Sequence, residues 1–301
     1  MRFLKVTLLS VCFLLGWAFA QRLSFQSSGV VSFEASEADI REALDCVSCK
    51  VLEPSLSSST ISVRVQRQGS SRYTLTVRQA SSWTAFRLKA RYTIRPRQAS
   101  LYTTDWLELS AFPQTIYSGD SPVTDVSVDY RLVLSGEEWA GDFGNQVVYS
   151  IDSSSISHMV QLSAPPVALV KVAGKSDSSL SLVFDYEGLN AIDYTTAVET
   201  GRILPFTDRT LDAVYVYTNN PAGATFRLEL FVLEQAKNSE ASLPQLLLFD
   251  EALTNREFRI TQPTPEFQLL VSPEDFGLKV DGSELPGTYR YALRYMAIMQ
   301  P

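Results

Sequence analysis

Side chains that perform catalysis are scarce in this sequence: its 301 residues include one histidine, His158, and three cysteines. A nucleophilic serine or cysteine needs a base held by packed neighbours, but His158 lies in a segment with linker composition, where we expect it to be exposed. The sequence also lacks a Gly-x-Ser-x-Gly elbow, a phosphate-binding loop and a His-Glu-x-x-His pair. We therefore predict that the protein is not an enzyme. A glycosidase with two carboxylates, which any fold can bring together, is the remaining catalytic alternative.

Ligands for metals and cofactors are equally few. Cys46 and Cys49 form a Cys-x-x-Cys pair, but a zinc site would need a second pair of Cys or His ligands. A redox pair would stand at a helix start within a βαβ unit, whereas this pair follows a short predicted helix that begins after Ser36. We predict a disulfide across the tight loop, as suits an exported protein, with a redox role as the alternative. No metal ion and no cofactor is predicted.

Long apolar runs are confined to the start of the chain. Arg2 and Lys5 accompany an apolar run from Val6 to Phe19, and Ala18-Phe19-Ala20 has the small-x-small pattern of a cleavage site. The run is shorter than the ~20 residues that a spanning helix needs. We therefore predict a signal peptide at 1–20 and no membrane-spanning segment after its removal. The mature protein is expected to be secreted, periplasmic or held at the cell surface.

Strand patterns dominate the rest of the sequence. Ile61, Val63 and Val65 alternate with polar residues, and the same period of two recurs over 73–78 and 86–94. Such alternation is typical of antiparallel strands with one face in the core and one in water. Many short strands separated by Gly, Ser and Pro favour an all-β fold of immunoglobulin-like antiparallel β-sandwiches. No good helix pattern is present in the second half.

A turn sequence, Gly-x-Glu-x-x-Gly, occurs twice with strand patterns on both sides. Its residues are Gly136, Glu138 and Gly141 in the first copy, and Gly282, Glu284 and Gly287 in the second. We interpret each glutamate as a residue that caps or orients its turn. Two copies predict two similar tandem domains, at 21–152 and 167–301, joined by a linker at 153–166 that is rich in Ser and Pro.

The segments after these turns are similar to those of a known family. Gly287 to Tyr295 resembles the closing Gly-x-Tyr and alternating strand of secreted pilin subunits of the spore-coat-protein-U type, and Gly141-Asp142-Phe143 with Val147 to Ile151 matches more loosely. This resemblance implies bacterial immunoglobulin-like envelope modules that assemble by strand complementation. The candidate donor strands are Leu23 to Phe33 and Tyr289 to Ala297. The resemblance implies no catalytic residue.

Charge is unevenly distributed along the chain, which carries a net charge of −7. Every charged residue from 64 to 97 is basic, and the second half is acidic. The period of two predicts that five of these residues share one side of a sheet, namely Arg64, Arg78, Arg87, Lys89 and Arg91. This side is either a solvated surface or a cationic face for an anionic partner such as envelope polysaccharide. Head-to-tail contacts between copies are a further possibility, because the two halves differ in charge.

Together these patterns predict an exported, non-enzymatic structural or adhesive protein of the cell envelope. It would bind other envelope proteins, itself or an anionic polysaccharide through sheet edges and charged faces, and nucleic acid is not an expected partner. One alternative is a carbohydrate-binding module that uses exposed aromatic residues. Its candidates are Trp83, Tyr102, Trp106, Tyr117 and Trp139. The other alternative is a periplasmic chaperone of fibre subunits.

Overall fold

A computed structural model describes residues 22–46, 50–67, 72–83, 86–152, 154–172, 179–185, 191–202, 204–205, 213–234, 245–283 and 288–298. The chain divides into two compact units, Met1–Pro165 and Pro166–Pro301. Strands account for most of the described residues and nearly all of them pair antiparallel, so the predicted all-β class with sandwich-like sheets is confirmed. None of the helices in the described part of the chain has the length and apolar character needed to cross a membrane.

The first unit contains one helix and two sheets among its described residues. The elements are β1 (Arg22–Ser27), β2 (Val30–Glu34), α1 (Glu37–Asp45), β3 (Val51–Leu52), β4 (Ile61–Gln66), β5 (Tyr73–Gln79), β6 (Phe86–Pro96), β7 (Tyr102–Thr103), β8 (Leu107–Glu108), β9 (Gln114–Gly119), β10 (Val123–Leu134), β11 (Gly141–Ile151) and β12 (Ser154–Ala164). A seven-stranded sheet has the order β1-β4-β10-β6-β7, with β3 beside β10 and β8 beside β6. A five-stranded sheet has the order β2-β12-β11-β5-β9.

The core of this unit lies between the two sheets. Along β4, β5 and β6 every second residue is buried, as the alternation in the sequence predicts, because side chains on a strand point alternately to opposite faces. The largest fully buried side chains of the core come from both sheets and include Tyr92 and Leu88 from one and Tyr149 and Leu75 from the other. Helix α1, which the sequence predicts to begin after Ser36, starts with a capping box of Ser36 and Asp39.

The opening segment of the chain contributes a strand to each sheet. Strand β1 pairs antiparallel with β4, whereas β2 pairs parallel with β12, from Val30 beside Met159 to Glu34 beside Ser163. The opening strand that we proposed as a donor is therefore already hydrogen-bonded within its own unit. The linker prediction is wrong for most of 153–166, because β12 occupies it and the first unit extends to Pro165.

The second unit contains three sheets and a helix among its described residues. The elements are β13 (Ala168–Val172), β14 (Ser179–Asp185), α2 (Ala191–Thr200), β15 (Leu204–Pro205), β16 (Val214–Thr218), β17 (Ala224–Glu234), β18 (Gln245–Leu248), β19 (Glu251–Ala252), β20 (Arg256–Ile260), β21 (Gln268–Val271), a 3-10 helix (Pro273–Asp275), β22 (Phe276–Lys279) and β23 (Thr288–Ile298). The sheet orders are β13-β16-β21, β14-β23-β17-β20 and β15-β22-β18-β19. Helix α2 corrects the expectation of a helix-free second half.

In both units the repeated sequence lies between strands of different sheets, although the units differ in the number and order of their sheets. In the first unit it connects β10 to β11, and in the second it connects β22 to β23; each time the chain passes from one sheet to another. The first glycine of each copy has a positive φ, 86° at Gly136 and 91° at Gly282, a conformation that favours glycine. Strand β23 is internal to its sheet, between β14 and β17, so the second proposed donor strand is also already paired.

Candidate ligand-binding site

The histidine considered as a catalytic base is a core residue. His158 is only 5% exposed, and its Nε2 lies 2.7 Å from the hydroxyl of Tyr130, which in turn lies 2.6 Å from the hydroxyl of Tyr149. Burial lowers the pKa of His158 to about 4, so the ring is neutral near pH 7. The expectation of an exposed histidine is wrong, because residues 154–164 form a strand and His158 occupies an inward position on it.

Glu138 is held inside the first of the two repeated turns. Its side chain is fully buried, and its carboxylate accepts hydrogen bonds from the backbone N–H and the hydroxyl of Ser135 and from the N–H of Gly136 at 2.7 Å. These contacts correspond to the turn-orienting role that we predict for this residue. Glu284 and Gly287 of the second copy lie outside the described residues.

The predicted cysteine pair is only partly described. Cys46 follows α1 and is disulfide-bonded, while Cys49, its predicted partner, lies outside the described residues. Within the described part of the chain, His, Cys, Asp and Glu side chains form no group of three or more that could hold a metal ion.

The five basic residues do not share one face. Arg64 lies on β4, and Arg87, Lys89 and Arg91 lie on β6, all in the seven-stranded sheet. The prediction is wrong for Arg78, because β5 belongs to the five-stranded sheet. The period of two fixes the side on which a side chain projects from its own strand, but it does not determine which sheet that strand joins.

Two of the basic residues of the seven-stranded sheet, Arg64 and Arg91, pair with carboxylates on the neighbouring strand β10. Arg64 makes a bidentate pair with Asp125 at 2.6 and 2.9 Å, and Arg91 lies 3.0 Å from Asp129. Arg131 of β10 forms a further pair with Glu53 at 2.6 Å. The surface of this sheet that points away from the core, hereafter the outer face, therefore carries alternating charge pairs as well as cations.

A gap interrupts the strand pairing in this outer face. Strand β10 pairs with β6 along its length on one side. On the other side it pairs with β4 as far as Val128 and with β3 from Leu132 onwards. Within the fully described segment 50–67, no strand pairs with residues 129–131 on this side, because the chain between β3 and β4 leaves the sheet there.

Backbone groups of Tyr130 point into the gap. Leu134 donates its N–H to the carbonyl of Lys50 on this side of β10, at 3.0 Å. Residues along an antiparallel strand alternate in the direction of their N–H and C=O groups, so those of Tyr130 point to the same side as those of Leu134. The gap thus offers one backbone donor and one backbone acceptor beside the side chains that surround it.

The gap opens into a cavity of about 330 Å³. Val31, Val128 and Tyr130, which are all nearly fully buried, form part of its lining. One wall is the chain between β3 and β4, a hydroxyl-rich stretch that contributes Pro54, Ser55, Ser58, Ser59 and Thr60. We refer to this cavity as the Trp106 pocket, after the aromatic residue at its rim.

The rim of the Trp106 pocket combines one indole ring with two arginine–carboxylate pairs. The guanidinium carbon of Arg131 lies 4.4 Å from the centroid of the Trp106 ring, and that of Arg91 lies 5.0 Å from it. Their partners Glu53 and Asp129 complete the rim. Stacking against a cation orients the indole, and each arginine is itself held by a carboxylate. The rim is therefore an ordered, polar arrangement with one partly exposed aromatic surface.

The sequence identifies only part of this pocket. Trp106 was a candidate aromatic residue and Arg91 a candidate cation, whereas Glu53, Arg131 and the serine wall were not predicted. Of the other aromatic candidates, Tyr117 is buried in the core and Trp83 packs edge-on against Phe86. A possible signal was the stretch of Pro and Ser after β3, which cannot continue a strand and therefore leaves the sheet.

Comparisons with known proteins find no matching protein-family model and no match among curated protein sequences. A two-domain protein of unknown function from Bacteroides fragilis is 8% identical over 99% of this chain and 95% of its own, with a TM-score of 0.26. A family 123 glycoside hydrolase from Clostridium perfringens is 9% identical with a TM-score of 0.25 and matches 48% of this chain, which spans only 28% of the hydrolase. The C-terminal domain of an AgI/II polypeptide from Streptococcus agalactiae is 9% identical over 78% of this chain and 83% of that domain, with a TM-score of 0.17. At these values the matches assign neither a family nor a function.

Proposed function

We propose that the protein is an exported, non-enzymatic component of the cell envelope, and that its first unit attaches to its target through the outer face. The observation that carries this proposal is the Trp106 pocket, where an indole, two arginine–carboxylate pairs and a wall of hydroxyl groups surround one cavity. Small-molecule sites commonly join a concave shape to a few oriented polar groups in this way. The signal-peptide pattern at 1–20 supports export.

Attachment by side chains fits the fold better than strand donation does. Both segments that we considered as donors are paired inside their own units, β1 and β2 at sheet edges and β23 between two strands. Catalysis is not part of the proposal, because the histidine of this chain is neutral and enclosed in the core beside Tyr130. The arginines at the rim are neutralised by carboxylates, an arrangement that suits recognition of a polar surface.

The proposal predicts that rim substitutions weaken attachment. The mature chain, labelled with a fluorophore, is incubated with intact cells and with isolated envelope fractions of the producing organism, and the bound fraction is measured against protein concentration. Trp106→Ala and Arg131→Ala are each expected to weaken binding about tenfold, which corresponds to about 1.4 kcal/mol. Tryptophan fluorescence and circular dichroism verify that the variants are folded.

The second unit provides a matched control. Arg227 pairs with Glu257 at 2.6 Å with both side chains about half exposed, which closely reproduces the geometry of Arg131 and Glu53 without an indole. Arg227→Ala is expected to bind like the wild type. The proposal fails if the wild type binds no envelope fraction, or if all three variants bind as the wild type does.

A further inference from the structure

We infer that the Trp106 pocket is a saccharide subsite that takes one pyranose unit of an uncharged glycan. This inference rests on the proposed attachment through the outer face and specifies what the pocket recognises there. It extends the alternative of a carbohydrate-binding module, and it departs from the expectation that the basic residues select an anionic polysaccharide.

The dimensions of the cavity favour one sugar ring. Its volume of about 330 Å³ is near the lower end of the roughly 300–1,000 Å³ that small-molecule sites occupy. Val31, Val128 and Tyr130, which are nearly fully buried, line part of the cavity. We therefore assign it to a single ring of the glycan.

The groups around the cavity match the two faces of a pyranose. A sugar ring presents apolar C–H groups on its faces and hydroxyl groups around its edge. The indole of Trp106, which both guanidinium groups contact, offers the exposed part of its flat apolar surface and a polar N–H. Ser55, Ser59 and the backbone of Tyr130 offer donors and acceptors. Hydroxyl groups can both donate and accept, so a ligand edge rich in hydroxyls can satisfy all of them.

Charge at the rim favours an uncharged ligand. Arg91 and Arg131 already lie within 3.0 Å of carboxylate oxygens of Asp129 and Glu53. An anionic sugar would have to displace these tethered carboxylates and would meet their repulsion. A pair of neighbouring hydroxyl groups can instead accept from a guanidinium and donate to its carboxylate, so both charge pairs persist in the complex.

The serine wall is fixed before any ligand arrives. Ser59 donates its N–H to the carbonyl of Val30 at 3.0 Å, and Ser55 donates to the carbonyl of Ser32 at 2.8 Å. The hydroxyl of Ser58 both donates to the carbonyl and accepts from the N–H of Ser32, each at 2.8 Å. These bonds attach the chain between β3 and β4 to β2. Because the wall is preorganised, binding does not have to order it.

The test titrates the full mature chain with methyl glycosides of glucose, galactose, mannose and N-acetylglucosamine and with methyl glucuronide. Binding is followed by tryptophan fluorescence and by saturation-transfer NMR at 50 and 500 mM NaCl. At least one neutral glycoside is expected to bind with a Kd on the order of 1 mM, as suits a single sugar ring. The Kd is expected to be the same at both salt concentrations, since salt screens only interactions of charges.

Variants separate this inference from the proposed function. Trp106→Ala is expected to weaken the binding of neutral glycosides at least about tenfold. Asp129→Asn is expected to weaken it less, because asparagine keeps the shape of the aspartate side chain. Arg227→Ala is expected to leave glycoside binding unchanged. If only the glucuronide binds, and if this binding is lost at 500 mM NaCl, the inference that the ligand is uncharged is wrong. If no glycoside binds but the protein still binds envelope fractions in a way that depends on Trp106, the saccharide subsite is wrong and the proposed attachment through the outer face remains supported. If neither binds, both proposals are wrong.

Discussion

Between pH 7 and pH 4, the free energy of unfolding of the first unit is expected to fall by about 3 kcal/mol more in the wild type than in His158→Gln. An unfolded histidine takes up a proton near pH 6.5, whereas burial lowers the pKa of His158 to about 4 in the folded unit. The unfolded state therefore binds more protons throughout this window, and stability is lost as the pH falls through it. The difference between the two pKa values corresponds to a change of about 3 kcal/mol in the free energy of unfolding.

The surroundings of His158 explain why its pKa is lowered. Rings of Phe25, Tyr130 and Tyr149 pack around it at centroid distances of 5.4 to 6.0 Å. Its Nδ1 lies 3.3 Å from the carbonyl of Met159, a contact that favours the charged form but does not offset burial. Tyr130 and Tyr149 are themselves neutral, because burial raises the pKa of each hydroxyl well above its usual value.

Tryptophan fluorescence during urea unfolding is the appropriate measurement. The tryptophans after residue 20 are Trp83, Trp106 and Trp139, and all three lie in the first unit. Glutamine in place of His158 keeps a neutral polar side chain, while the carboxylates that also titrate in this range are common to both proteins. Equal pH dependence in the two proteins would contradict a buried neutral histidine.

Glu138→Ala is expected to destabilise the first unit by about 4 kcal/mol, the largest effect predicted for this protein. The carboxylate is fully buried and accepts three hydrogen bonds from Ser135 and Gly136. Hydrogen bonds to charged groups are worth about 1.5–3 kcal/mol each, and they do not add completely. The turn also holds Gly136 at a positive φ of 86°, close to Leu44. Removal of the Glu138 carboxylate is therefore expected to disturb the turn and the start of β11.

Two further substitutions make this result specific. Glu138→Gln keeps one carbonyl oxygen as an acceptor and is expected to cost about half as much as the alanine. Glu137→Ala alters the exposed neighbour in the same turn and is expected to change stability by less than about 0.5 kcal/mol. Urea unfolding by tryptophan fluorescence measures all three. A Glu138→Ala protein as stable as Glu137→Ala would refute the structural role of the repeated glutamate.

Local patterns predict the strands of the first unit well, because burial on one face leaves a period of two. The period over 86–94 appears in β6 as inward residues from Phe86 to Ile94. The linker prediction failed although β12 carries the same signal: His158, Val160, Leu162 and Ala164 alternate inward. Its serine-rich start and the prolines after it obscured that alternation. Helix α2 was missed because three of its ten residues are Thr and others are Ile, Tyr and Val, and these residues have low helix propensity.

The pocket could not be predicted as a unit, because its residues meet only through strand pairing. Glu53 follows β3, Arg91 belongs to β6 and Arg131 to β10, and the register of these three strands brings their side chains together. Sequence alternation identifies the outward side of each strand but not its neighbour. The gap beside Tyr130 likewise follows from two short strands, β3 and β4, sharing one side of a long one.

The parallel contact of β2 with β12 sets an order of events for a newly made chain. Val30 and Met159 are among the most distant positions that this unit pairs, and such separated contacts form slowly. A chain that emerges from its amino end holds β2 without its neighbour until nearly the whole unit has appeared. The five-stranded sheet of this unit is therefore complete only after β12, the last strand of the unit, has been made.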